Sequence, residues 1–282
     1  MCLALVPVLL SSHVRITRHP AEDEEPVWSP DGTTFAFVTD REGGEDIYVM
    51  NVDGTSPTRI TESGTEWDPE WSPAGGHIVL RSLRDGNDEV YVMNADGSGQ
   101  IVLSDHPSDD YGPRWSPDGS QIAFVSTRDG NEEIYLMSHE GRATVRLTEH
   151  GAADSEPEWA PDGAQLAFVS NRTGTHQVFL MRADGSGVKR LSRHAAVTYW
   201  DPDWSPDGSR IAFSSRRGGN WDIYVMNPDG SGERRLTEHP ADDLSPRWSP
   251  DSAAISFVSW RDGNAEVYVT ESKPAVQEAD TE

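Results

Sequence analysis

Cysteine occurs once in the 282 residues, as Cys2, so no disulfide and no cysteine-based metal cluster can form within the chain. Neither an oxidising nor a reducing compartment is thereby excluded, and a thiol nucleophile has no other place to come from. Lysine is nearly missing too: Lys189 and Lys273 are the only two, and arginine supplies the rest of the 23 basic residues. Against 48 acids they leave a formal net charge of -25. Such a surface repels nucleic acid and anionic lipid and favours cations or basic partners. No transmembrane helix is expected, because the one markedly apolar stretch, Met1 to Leu10, is too short to span a bilayer as a helix. It lacks a basic leading region and reads as the remnant of a secretory signal. Helical periodicity is absent as well. There is no Gly-x-Ser-x-Gly elbow for a serine hydrolase and no compact set of histidines and carboxylates for metal catalysis.

What the chain does have is a phrase, Pro-x-Trp-Ser-Pro-Asp-Gly, in six versions. Its tryptophans are Trp28, Trp71, Trp115, Trp159, Trp204 and Trp248, recurring every 43 to 45 residues. A fixed period of this length marks a repeat architecture. In the third unit, Pro113 to Ser116 is extended, Pro117-Asp118-Gly119 turns, and Gln121 to Ser126 is an apolar strand. Arg128 to Asn131 turns again, Glu133 to Ser138 is a strand, His139 to Gly141 turns, and Val145 to Thr148 is the fourth strand. Four short antiparallel strands per unit describe a propeller blade. The predicted fold is therefore all-β, a six-bladed β-propeller of four-stranded antiparallel blades. The last unit lacks its fourth strand, and Val14 to Thr17 matches it, so the N-terminal strand is expected to complete the last blade. The expected organisation is an apolar segment over 1–12, a propeller over 13–272 and a disordered acidic tail over 273–282, as a monomer.

The recurring Trp-Ser-Pro-Asp-Gly, Ile-Ala-Phe-Val-Ser, Ser-x-Arg-Asp-Gly and Ile-Tyr-Val-Met-Asn segments, the last followed by an Asp-Gly-Ser-Gly turn, resemble the TolB-like six-bladed propellers over about 14–271. The resemblance implies a binding face and a role in the periplasm or cell envelope; a secreted or a cytoplasmic protein are the other placements. Related propellers gate the active sites of serine peptidases, and a shared fold transfers none of these functions by itself.

Strand order puts the Ser-Pro-Asp-Gly and Asp-Gly-Ser-Gly turns on one face, nearly invariant. The loops entering each Pro-x-Trp strand and the Arg-Asp-Gly-Asn turns lie on the other, which varies and is the better binding candidate. Two residues before each phrase proline, at the channel mouth, stand Glu24, Trp67, Tyr111, Ser155, Trp200 and Leu244. Tyr199 precedes Trp200 in the only loop with an inserted residue. Trp221 and Trp260 also replace polar residues on this face. Trp67, Tyr111, Tyr199, Trp200, Trp221, Leu244 and Trp260 are the predicted contacts for a protein, peptide or glycan, the structural alternative being that the rings fill gaps between loops.

One residue further out lie Asp23, Glu66, Asp110, Asp154 and Asp243, with Thr198 as the exception. They are weak candidates for calcium, and pairing with Arg41, Arg84, Arg128, Arg172, Arg217 and Arg261 is the preferred reading. No cofactor is otherwise expected. Between Pro and Trp the residues read Val27, Glu70, Arg114, Glu158, Asp203 and Arg247, a sequence of charges that predicts ion pairs along the channel. His19, His106, His150, His194 and His239 share one repeated position and read as loop hydrogen-bonders. The expected function is a non-catalytic recognition module. The alternatives are a hydrolase or lyase at the channel mouth, or the detached gating propeller of a peptidase. A polar cluster unique to one or two blades, facing the channel with perturbed proton affinities, would favour the enzyme, and repeat-equivalent residues alone would favour the module.

Overall fold

A computed structural model describes residues 13–272. The apolar segment 1–12, with Cys2, and the acidic tail 273–282 lie outside the described residues. Six four-stranded antiparallel sheets make up the fold, five of them with their strands side by side in chain order. The first blade consists of Asp23–Trp28, Thr34–Thr39, Asp46–Asn51 and Thr58–Arg59. Blades 2 to 5 repeat this from Glu66, Asp110, Asp154 and Tyr199. Blade 6 contributes Asp243–Trp248, Ala254–Ser259 and Glu266–Glu271, and Val14–Arg15 is its fourth strand, with Val14 opposite Val269 and Arg15 opposite Tyr268. The ring thus closes as the missing strand implied. Thr17 and Arg15 bolt the junction: the Thr17 hydroxyl donates to Glu266 at 2.6 Å, and Arg15 pairs with Glu266 and with Asp262 at 3.0 Å.

Each blade follows from its turns. In blade 3, Ser116 donates to Asp118 at 2.7 Å while its oxygen accepts the Gln121 N–H at 3.0 Å, and Gly119 takes φ 71° to reverse the chain. The second and third strands are apolar on both faces because neighbouring blades cover both. Ala123, Ile134 and Leu136 of blade 3 pack with Trp159, Leu166, Phe168 and Phe179 of blade 4 in one cluster. The phrase tryptophans belong to these seams; Trp28 lies 4.3 Å from Phe35, and its indole donates to the Arg247 carbonyl across the ring junction at 3.2 Å.

One irregularity recurs in every blade. The innermost strand slips register against the second between Glu24 and Val27, and at the equivalent place in the other five. The residue before the phrase proline is left-handed throughout: Glu25, Asp68, Gly112, Glu156, Asp201 and Ser245, with φ between 50° and 60°. A bulge of this kind inserts one residue and re-aims its side chain. Five of the six are not glycine, so each carries a local cost of order 1 kcal/mol that the surrounding sheet must hold.

Candidate functional site

The mouth residues are set by the start of each innermost strand. Trp67, Tyr111, Trp200 and Leu244 are half-buried there, as is Glu24, while Ser155 is buried. Trp221 and Trp260 are also half-buried on this end, and backbone bonds tie both to the entrance of blade 6: the Trp221 N–H donates to the Asp242 carboxylate at 2.9 Å and the Trp260 N–H to the Asp242 carbonyl at 3.3 Å. Tyr199 departs from expectation. It is wholly buried in the seam between blades 4 and 5, 5.3 Å from Phe213, and cannot touch a ligand. The inserted loop residue explains this. Tyr199 pairs with Ser215 as Asp23 pairs with Thr39, so Tyr199, not Thr198, occupies the acidic position in blade 5.

The predicted contact rings of blades 5 and 6 do not form one stacked cluster. Among the described residues no ring contact joins Trp200, Trp221 and Trp260. Trp200 stacks instead on His176 of blade 4 at 4.3 Å. The denser cluster is on blades 2 and 3, where Arg81 lies 4.7 Å from the Trp67 ring and 5.8 Å from Tyr111. Sequence reasoning passed over Arg81, although the signal was present: the aligned residues are Val38, Val125, Val169, Ser214 and Val258. The Tyr111 phenol is pushed well up by burial and by the neighbouring Glu132 carboxylate.

The outer ring of acids is structural. Asp23, Glu66, Asp110, Asp154 and Asp243 are fully buried, and each is bound to the arginine of its own blade, Arg41, Arg84, Arg128, Arg172 and Arg261, at 2.6 to 2.9 Å. Those guanidiniums also lie over third-strand rings, as Arg41 does over Tyr48 at 4.7 Å. With Tyr199 in blade 5, Arg217 turns to Glu233. Oxygens committed to arginine make poor calcium ligands, and among the described residues no group of three or more His, Cys, Asp or Glu is placed to hold a metal ion. Of the repeated histidines, His19, His106, His150 and His239 accept a backbone N–H two residues on, at 3.0 to 3.2 Å, as loop braces.

Below the mouth the channel opens into a cavity of about 220 Å3 lined by the left-handed residues and by Val27, Arg114, Glu158 and Arg247, which follow four of the phrase prolines. The left-handed ring, which sequence reasoning missed, is a circular relay. Glu25 accepts the Asp68 N–H at 2.6 Å and Asp68 the Gly112 N–H at 3.2 Å. Glu156 accepts the Asp201 N–H at 2.6 Å and Asp201 the Ser245 N–H at 3.1 Å. Gly112 and Ser245 break it at opposite sides. In the next ring the expected ion pairs form between Arg114 and Glu158 at 3.1 Å and between Arg247 and Asp203 at 3.7 Å. Enclosure in the channel raises the proton affinity of these acids. Burial and the Asp68 carboxylate push Glu25 up to about 8; burial and Asp203 push Glu158 up to about 8. Burial lifts Asp203 to about 6 in spite of Arg247, and raises Glu70 and, more strongly, Glu156. Chemically, the channel can hold protons and hydrogen-bond a polar guest. Behind the lining, the fully buried Ser214 hydroxyl donates to Asp201 at 2.8 Å.

The family profile of the TolB beta propeller domain matches residues 6–111, 68–200 and 195–279. The chain belongs to that family. Among solved structures, this TolB-type propeller superposes on a protein of Agrobacterium tumefaciens assigned as TolB with a TM-score of 0.73, 24% identity, and coverage of 91% of this chain and 92% of that one. It also superposes on an oligogalacturonate lyase of Vibrio parahaemolyticus with a TM-score of 0.65 at 14% identity, covering 91% and 92%. At these identities the likeness shows the fold. The Tol-Pal system protein TolB of Bordetella pertussis is 50% identical over 40 residues, which span 14% of this chain and 9% of that protein. No helix among the described residues is long and apolar enough to cross a membrane.

Proposed function

We propose that the chain is a non-catalytic recognition module of the bacterial envelope that binds a protein or peptide at the channel mouth. The observation that carries this is the distribution of departures from the repeat. Positions that serve the blades recur around the ring, whereas Trp67, Tyr111, Trp200 and Leu244 at the starts of the innermost strands, and Trp221 and Trp260 in the turns of the same end, are half-buried where no turn requires them. Aromatic anchors beside polar groups are what protein interfaces use. The Bordetella relative's name, a Tol-Pal system protein, supports a protein partner and a periplasmic setting. The test compares capture of envelope proteins and peptide or glycan arrays by the intact chain and by a Trp200→Ala, Trp221→Ala double variant. Loss of capture in the double variant is expected, and equal capture by both would sink the proposal.

A second reading, a hydrolase or lyase in the channel, draws on one observation, the raised proton affinities of Glu25 and Glu158. Glu25 and Glu156 are equivalent positions in the repeat, which weighs towards a structural role. Turnover of oligogalacturonate or of a peptide substrate, lost in Glu158→Gln, would establish the enzyme. A gating propeller separated from its peptidase would remain non-catalytic.

A further inference from the structure

The channel repeats after three blades rather than one. Glu25, Asp68 and Gly112 correspond to Glu156, Asp201 and Ser245; Val27, Glu70 and Arg114 correspond to Glu158, Asp203 and Arg247; Trp67 corresponds to Trp200. In a six-bladed ring, blades three apart face each other. The two halves can therefore be compared residue by residue: at the mouth Tyr111 is matched by Leu244, Asp88 by Trp221, and the cation Arg81 by Ser214.

In blade 2 the cation is Arg81. It stands opposite Trp67 on the neighbouring strand, stacks over that ring at 4.7 Å, donates from Nε to Asp88 at 2.9 Å and brings Nη1 to 3.8 Å from Asp68. In blade 5, Trp200 stands opposite Ser214 in the same register, and Asp201 takes the place of Asp68. The aromatic and the inner carboxylate are kept, Asp88 gives way to Trp221, and the guanidinium is gone. Ser214 reaches only as far as Asp201, to which its hydroxyl donates at 2.8 Å. His176 stacks on one face of Trp200, and the indole remains partly exposed.

We infer that the mouth at blade 5 receives an arginine side chain of a protein partner, in the place that Arg81 fills at blade 2. The inference rests on the recognition reading above and names the chemistry of its ligand. A planar guanidinium can stack on Trp200 and fork its donors to Asp201 at once, which a lysine ammonium cannot. The net charge of -25 draws a basic segment towards the opening. Arg81 is then the molecule's own copy of the bound state.

The test uses the full chain with 15N-labelled indoles and two capped peptides, acetyl-Gly-Arg-Gly-amide and its citrulline counterpart, which keeps the shape and loses the charge. The Trp200 indole resonance is assigned by its loss in Trp200→Phe. A saturable shift of that resonance with the arginine peptide is expected, with affinity about tenfold higher than for the citrulline peptide. Ser214→Arg, which supplies the guanidinium from within, should abolish the shift; Ser214→Leu, which fills the slot without charge, should do so as well and stands in if the arginine variant fails to fold. Equal response to both peptides, an unaltered response in the filled-slot variants, or a silent Trp200 at millimolar peptide would overturn the inference. A chain that captures an envelope protein through its aromatic mouth while ignoring arginine would leave the recognition reading standing and remove only this one.

Discussion

The two ends of the ring use the same residue types under opposite conditions. At the Asp-Gly-Ser-Gly end, a methyl group on Gly97 would sit 2.1 Å from the Ile60 carbonyl oxygen, and one on Gly230 would sit 2.3 Å from that of Leu191. At the mouth end, Gly86 and Gly219 have nothing within 4 Å. The acids divide in the same way. Asp118, in an exposed Ser-Pro-Asp-Gly turn, is drawn down to about 2 by hydrogen bonds from Ser116 and Ser120. Glu25 and Glu158, in the channel, are pushed up to about 8 by burial and neighbouring carboxylates. One end is locked and its charges are satisfied. The other has room, and its charges are held under tension. The locked end repeats because every blade needs it, and the open end is free to differ.

The comparison can be broken in four ways, in order of effect. Removing residues 1–17 deletes the strand that closes blade 6 together with the Thr17 and Arg15 contacts to Glu266. It should abolish the single cooperative unfolding transition or lower its midpoint far more than any point change; an unmoved transition would show that closure lies elsewhere. Gly97→Ala should cost roughly 2–4 kcal/mol, from strain at positive φ together with a collision against backbone that cannot retreat. Gly86→Ala, strained but unobstructed, should cost only about 1 kcal/mol. Equal losses in denaturant melts would erase the difference between the ends.

The third test is pH. Glu25 and Glu158 hold protons more tightly in the folded chain than in the unfolded one, so their contribution is fully present below the ordinary carboxylate range and is lost as pH rises through about 8. Unfolding free energy should therefore fall between pH 5 and pH 8.5, by at most about 1.4 kcal/mol per pH unit for each of the two groups. A Glu25→Gln, Glu158→Gln variant should flatten that slope; an unchanged slope would place the titration in other groups. The smallest expected effect belongs to the mouth. Trp200→Ala should change stability by about 1 kcal/mol or less while removing ligand capture, and a large loss of stability would reassign Trp200 to packing.

Much of this was legible in the residues. The 44-residue rhythm gave six blades, the missing fourth strand gave the N-terminal closure, and the repeated arginines opposite repeated acids gave the buried pairs. Tyr199 was misplaced because an inserted loop residue obscures register, and register is set by which backbone groups bond across the sheet. The residues before the phrase prolines were passed over because nothing in their identities signals a left-handed bulge in all six blades. Arg81 was passed over because only the strand pairing sets it opposite Trp67.

The sequence by itself determined the architecture, because a periodic pattern of turns and apolar strands admits few ways to bury its faces. The tertiary structure alone decided which side chains meet across the channel. Closing the ring encloses a channel in which acids of adjacent blades, Glu25 with Asp68 and Glu158 with Asp203, crowd and gain proton affinity, and it sets blades three apart face to face, where one displays the cation that its opposite number lacks.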